Sequence, residues 1–587
     1  MWIRNQDSAE RQLSFSRQQD GQQYQFNCYV RDQLAVAENS DAILLLFGRV
    51  RPYGADYAAK PQADWLLALL LQNPQQYYPQ LAGFFSAVLL DKRDGSLRFI
   101  NDHVAAVPLY YQFSASNGWC SDYLNHPAAR TLPLAPQALL NYFFFHCIPS
   151  GLTIYQHTYK LPPATELTLT RNGQQQQRLL YQPAYSVSKQ STEQLQQSCR
   201  EVIANAVRLH ATPTENQICA AFLSGGLDSS TVSGYLCQNQ PGARTFSIGF
   251  EAKGYDETEY ALITAKHFGS NHQVHYLKPA EIVDNFVDVA GYFDEPFGNS
   301  SAMAAFICAR VAKQQGVSVM LAGDGGDEIF AGNERYAKQK VFEHYQHLPA
   351  LLRSPLELLL HSPLGKLPGF SKARSYVTQA NVPLPDRLDS YNFLNRFALN
   401  EMFCPEFLRQ VDTEQPAAAK RQRYQECQAT DPVERMMYLD WKFTLADNDF
   451  VKVSSMCQKA GIDVRFPLFE KEVVDFSCTV PTTVKLPGSA LRDFYKNSFR
   501  GFLPDATLAK SKHGFGLPFG VWMKEQPALQ QLTRDSLSSL KQRGILRPEF
   551  IEQALQTYQS GHAGYYGELI WIMLILELWL QQHGSAH

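Results

Sequence analysis

At 587 residues, 45% hydrophobic and 19% charged, the chain is too long for one core and too apolar to be disordered, so two to four packed domains are expected. A formal net charge of −3 leaves no overall basic field for a nucleic-acid backbone. Eleven cysteines show neither CxxC spacing nor a histidine pair at zinc-ligand spacing, so they read as reduced, mostly buried thiols of a cytoplasmic protein.

Residues 1–7 lack the apolar core of a signal peptide. Strands and turns then dominate to about residue 185. Residues 42–48 are a continuous apolar run ending in glycine, and 65–72 predict a short apolar helix. Residues 84–90 are a second run, followed by a turn-like 91–95. Residues 166–170 alternate and then turn at Asn172-Gly173. The stretches 174–177 and 186–192 read as surface and linker. From Thr192 the spacing predicts helices at 193–209 and 231–238, with buried strands at 218–223, 245–250 and 317–321. Strands separated by helices imply a parallel, doubly wound sheet. The last 200 or so residues are mainly helical. Their apolar run 569–576, stopped by Glu577, falls short of the roughly 20 residues a membrane span needs and predicts a buried helix.

The segment Phe222-Leu223-Ser224-Gly225-Gly226-Leu227-Asp228-Ser229-Ser230 follows a strand and opens a helix. Two glycines let the backbone approach a ligand. The hydroxyls and the free N–H groups at the helix start favour an anion. Asp228 would repel phosphate unless a cation lay between, which points to Mg²⁺ on pyrophosphate. The plainer alternative is a strand–turn–helix with N-capping serines. No GK[ST] is present, so this is not a Walker loop.

A second motif, Gly323-Asp324-Gly325-Gly326-Asp327-Glu328, also follows a strand. It lacks the EF-hand spacing of a calcium loop. Asp327 with Asp228 can hold Mg²⁺, and Asp324 can accept a proton.

The first loop resembles the pyrophosphate loop of ATP pyrophosphatases, which yield AMP and pyrophosphate. Both motifs, about 100 residues apart, resemble the synthetase domain of the asparagine synthetase family. Asp294-Glu295-Pro296 resembles that family's DEP turn. Lys452-Val453 with residues 463–468 resembles its "EVRVPFLD" segment, residues 512–518 its "KxGFxxP" loop, and residues 577–580 its "LELWL" end. The resemblance spans residues 192–580. It implies adenosine at Leu223, Ile248 and Gly323. It further implies phosphates at Ser224, Gly225, Gly226, Asp228 and Ser229, and charge stabilisation by Lys512. On sequence alone, Lys512 is a solvated lysine near Lys510.

The front of the chain resembles the same family. Residues 81–88 match "LxGxFAFAL", 101–111 match "ARDxxGxxPLYY", and 160–163 match "KLPPG". The implied architecture is an Ntn-like αββα glutaminase sandwich over 1–185. A doubly wound ATP-pyrophosphatase domain with a helical C-terminal part follows over 186–587.

The family's glutaminase uses a cysteine exposed as residue 1. Here Trp2 follows Met1, Cys28 is internal, and Phe47-Gly48-Arg49 stands where the family has "NGE". The glutaminase is therefore expected to be inactive. The resemblance implies adenylation of a carboxylate by ATP with Mg²⁺, then attack by an amine that releases AMP. Family members without the glutaminase cysteine include lasso-peptide macrolactam cyclases and β-lactam synthetases, whose amine belongs to the substrate. The expectation is a peptide or metabolite cyclase acting on a small-molecule or peptide carboxylate. A precursor peptide and its processing protein are the candidate partners, and neither nucleic acid nor membrane is expected. Ser454-Ser455 replaces the Asp-Arg of the family's "KVDRxSMA", which weakens an aspartate reading. Asparagine synthesis from free ammonia is the alternative. A non-catalytic scaffold is disfavoured because Asp228, Asp327 and Lys512 are retained.

Overall fold

The computed structural model describes residues 2–4, 11–19, 22–31, 33–57, 62–212, 217–252, 254–346, 348–362, 370–391, 397–511, 516–560 and 563–584. Strand Ala42–Pro52 pairs antiparallel with Leu81–Asp91 along its whole length, Ala42 opposite Asp91 and Pro52 opposite Leu81. Its unbroken apolar run follows from burial on both faces. Ile43, Leu45 and Phe47 enter a core between two sheets, while Leu44 and Leu46 join helix Ala63–Gln72 in a second core.

The sheet that holds this strand has six members, ordered Gln175–Leu179, Thr165–Leu169, Leu97–Asn101, Leu81–Asp91, Ala42–Pro52 and Ala35–Glu38. A second six-stranded sheet faces it, built on the hairpin of Gln12–Gln19 with Gln22–Tyr29. Tyr110 and Trp119 of that sheet join a core shared with helix Pro136–Phe145. Two stacked sheets between helices form the expected αββα sandwich.

Ser191 starts helix Thr192–Ala211 with a capping box. Its Oγ accepts the Gln194 N–H at 3.3 Å, and Gln194 Oε1 accepts the Ser191 N–H at 2.9 Å. Five parallel strands follow, in spatial order Asn271–Leu277, Arg244–Phe250, Cys219–Phe222, Val319–Leu321 and Asp463–Arg465. This is the doubly wound sheet anticipated from the sequence. Its two edge strands carry no apolar run and were not foreseen. The helix expected at 231–238 runs from Leu227 to Asn239.

The last helix, Ala563–His583, is buried along the run 569–576. Glu577 is fully buried within it, accepting from Arg543 Nε at 2.8 Å and from Ser539 Oγ at 2.6 Å. Among the described residues, no helix is long and apolar enough to cross a membrane. All eleven cysteines are free, and every one except Cys404 is buried.

The sandwich and the parallel-sheet layer meet over a seam of paired charges. Arg51, fully buried, donates to Glu470 at 2.8 Å and to Glu472 at 2.7 and 2.8 Å. Burial pushes the Glu470 carboxyl up, but the hydrogen bond from His210 and the Arg51 charge outweigh it and hold it at about 2. Phe84 from the sandwich meets Phe450 and Phe466 there, the last two stacked at 3.9 Å.

Candidate adenylation site

A cavity of about 780 Å³ opens at the carboxyl ends of the parallel strands. It lies where strand order reverses, between Cys219–Phe222 and Val319–Leu321, the place where doubly wound sheets bind ligands. The loops leaving these two strands carry the two sequence motifs, and they interlock. A Cβ on Gly326 would stand 2.1 Å from Asp228 Oδ1, and one on Gly323 would stand 2.6 Å from Ser229 N. A Cβ on Gly332 would stand 1.7 Å from Asp327 Oδ1. Gly323 and Gly326 of the second motif thus make room for the helix start and the acid of the first, and Gly332 makes room for Asp327.

Leu223, Ser224, Gly226, Asp228, Ser229, Ile248, Gly323, Asp324 and Asp327 all line this one cavity. Gly225 does not. It makes the turn at φ +74°, and a Cβ there would stand 2.5 Å from Ala261 N on helix Thr258–Phe268. Lys512 lies outside the described residues. Ser224 Oγ and Ser229 Oγ are 3.0 Å apart, and Ser229 Oγ accepts the Ser224 N–H at 3.2 Å. Helix Leu227–Asn239 starts beside them, so free N–H groups and hydroxyls converge on a spot suited to an anion.

Further charged residues that sequence reasoning gave no role reach the cavity, among them Arg492, Lys452 and Asp449. Arg492 is buried and donates to both acids of the expected metal pair. Its Nη1 reaches Asp228 Oδ2 at 2.9 Å and Asp327 Oδ1 at 2.6 Å, and its Nη2 reaches Asp228 Oδ1. Lys452 donates to Asp449 at 2.8 Å. Asp449 ends a π-helical turn, Trp441–Asp449, that runs on into helix Phe450–Lys459. Such turns re-aim side chains at functional sites. No spacing in the sequence links residues 228, 327 and 492. Lys452 fell inside a recognised segment, and that was the only signal for it.

Asp324 stands among these groups. Burial raises its carboxyl to about 6, with the Lys452 charge pulling it down and the Asp449 charge pushing it up. A carboxyl near 6 is a competent proton acceptor at neutral pH. Two carboxylates converging on one cation, beside hydroxyls, form a donor set that fits a hard ion such as Mg²⁺. Among the described residues, no group of three or more His, Cys, Asp or Glu side chains is placed to hold a metal. Asp228 and Asp327 would hold Mg²⁺ as two carboxylates, with phosphate oxygens supplying further ligands.

The family model described as Asparagine synthase matches residues 198–581, and that described as Glutamine amidotransferase domain matches residues 49–180. The chain is 22% identical over 529 residues to asparagine synthetase (glutamine-hydrolyzing) 1 of Bacillus subtilis (strain 168), covering 90% of this chain and 82% of that one. It is 29% identical over 284 residues to putative asparagine synthetase (glutamine-hydrolyzing) 2 of Methanocaldococcus jannaschii, covering 46% of this chain and 53% of that one. Amidase chry2 of Gibberella zeae is 22% identical over 334 residues, covering 50% of this chain and 46% of that one. In the last two matches the chain spans about half of the relative's length.

Proposed function

The chain belongs to the asparagine synthase family of ATP-dependent amide-forming ligases, and from that premise we propose that it closes an amide within one substrate. The carboxylate oxygen attacks the α-phosphorus of ATP. The bond to the β-phosphate breaks, and pyrophosphate leaves. An amine of the same substrate then attacks the acyl carbon. Its proton passes to Asp324, and the carbon–oxygen bond to AMP breaks. Bound Mg²⁺ would offset the charge of the pyrophosphate. Ser224, Ser229 and the helix start hold the phosphates, and the apolar side chains of Leu223 and Ile248 face the adenosine.

The observation that carries this reading is the contrast between the two halves. The cavity gathers the described residues expected for adenylation except Gly225, while the sandwich presents no exposed cysteine among its described residues. Cys28 and Cys120 face each other across parallel strands and are both fully buried. Burial pushes the Cys120 thiol well above its ordinary range, so it is no thiolate at neutral pH. Without ammonia made on site, a substrate carrying its own amine gains from a high effective concentration.

Mass spectrometry of the purified chain with ATP, aspartate and ammonium chloride at alkaline pH tests the reading. No substantial asparagine is expected, and no glutamate release from glutamine above a buffer control. Efficient, saturable asparagine formation would instead support ammonia-dependent amidation of aspartate. Amine–acid substrates, including short peptides encoded near the gene, are expected to lose one water in an ATP-dependent manner.

The pH dependence follows from Asp324. Below its pKa the carboxyl is protonated and cannot accept the amine proton. The aminolysis rate is expected to rise through about pH 6, and Asp324→Asn is expected to flatten that limb. Single-turnover decay of the acyl-adenylate, followed by quench at several pH values, checks it. A limb unchanged in the variant would remove Asp324 from the proton-accepting role.

A further inference from the structure

We propose that Arg492 is the resident counter-cation of the Asp228–Asp327 pair, holding the metal's place until nucleotide arrives and then transferring its guanidinium to the pyrophosphate. Two carboxylates aimed at one point repel each other unless a cation stands between them. Arg492 Nη1 is that cation here, at 2.9 Å from Asp228 Oδ2 and 2.6 Å from Asp327 Oδ1. A metal binding these same oxygens at about 2.1 Å needs the space that Nη1 fills. Guanidinium and metal therefore exclude one another at this spot.

Three features show that the arginine is built for two positions rather than one. Its residue caps helix Asp493–Ser498 with φ 59°, a left-handed conformation that a non-glycine side chain takes at a cost. That conformation aims the side chain into the cavity from outside both motif loops. The guanidinium lies 4.2 Å over the Tyr495 ring, a face that holds its plane without fixing its hydrogen bonds. Its Nε is buried with no hydrogen-bond partner, so the carboxylate-bound pose leaves one donor unused. Pyrophosphate oxygens, which arginine binds as a fork, are the acceptors that can complete the set. Ser224, Ser229 and the start of helix Leu227–Asn239 place those oxygens beside Asp228. The metal would thus load together with the phosphates rather than before them. The exchange leaves the net charge between the two acids positive throughout.

The test is Mn²⁺ binding to the full chain, read by electron paramagnetic resonance, and it does not depend on the identity of the acyl substrate. Without nucleotide, Arg492→Met is expected to bind Mn²⁺ at least about tenfold more tightly than the wild type, because the competing cation is gone. Arg492→Lys is expected to fall between, since a single ammonium cannot bridge both acids as a fork. Adding α,β-methylene-ATP is expected to tighten Mn²⁺ binding by the wild type more than by Arg492→Met, because only the wild type has a cation to move. Introducing Asp228→Asn into Arg492→Met is expected to abolish the gain, which locates it. Equal Mn²⁺ affinity of wild type, Arg492→Lys and Arg492→Met without nucleotide would overturn the proposal. So would nucleotide that tightens Mn²⁺ binding equally in all three, which would make Arg492 a fixed structural pair. Should Arg492→Met fail to fold, the comparison of Arg492→Lys with wild type decides alone.

Discussion

Asp228→Ala and Asp327→Ala are each expected to lower formation of AMP and pyrophosphate by about 10²-fold or more, since each removes one arm of an electrostatic clamp. The two are not expected to behave alike in stability. Asp228 takes both ends of the Arg492 fork, whereas Asp327 takes one nitrogen. Either truncation leaves Arg492 one carboxylate, so the cost falls below the roughly 3–5 kcal/mol of a fully stranded buried charge, and it is larger where two hydrogen bonds are lost. Asp228→Ala is therefore expected to melt earlier than Asp327→Ala. Arg492→Met added to Asp228→Ala is expected to recover part of that loss without recovering turnover. Product analysis by chromatography, alongside thermal melting, checks both statements. Finding ADP as the nucleotide product would overturn the site assignment, because cleavage would then fall between the β- and γ-phosphates.

Gly326→Ala is expected to be nearly as damaging, although it adds a single methyl and removes no functional group. The new Cβ would sit 2.1 Å from Asp228 Oδ1, which belongs to a carboxylate pinned by Arg492 and unable to swing aside cheaply. The loop and the acid must separate, so a loss of roughly 10²-fold in pyrophosphate formation is expected, as for misplacing a catalytic group by about an ångström. Gly488→Ala is the control. Unlike Gly326, that glycine has positive φ, at 58°, but nothing stands within 4 Å of its Cβ position. Its substitution tests backbone strain without collision. If both variants retained full activity, the interlock of the two motif loops would have no bearing on catalysis.

How much of this was legible in the chain depends on the range of the forces involved. The run at 42–48 announced a strand because both of its faces are buried and every position is apolar. The hairpin of Gln12–Gln19 with Gln22–Tyr29 was silent. Of its apolar side chains only Phe15, Tyr24, Phe26 and Cys28 are buried, Ser16 and Arg17 are buried beside them, and the glutamines between hide the alternation. The edge strand Asn271–Leu277 was hidden for the same reason, being polar and only partly buried along most of its length.

The sequence by itself determined the chemistry of the two glycine-rich loops. Hydroxyls, flexible backbone and acids sit within a few residues of one another, and local spacing dictates what they can bind. It also determined that the two loops follow strands of one parallel sheet. Only the tertiary structure decided which distant charges complete the site. Arg492 comes from a helix cap 165 residues beyond Asp327, Asp449 ends a π-helical turn, and Lys452 stands in the first turn of the helix that follows it. A lone arginine and a lysine–aspartate pair carry no periodicity, and their partners are fixed by packing rather than by neighbours in the chain. The same holds for Asp324, whose carboxyl reaches about 6 through burial, a property conferred by the whole fold and by no residue beside it.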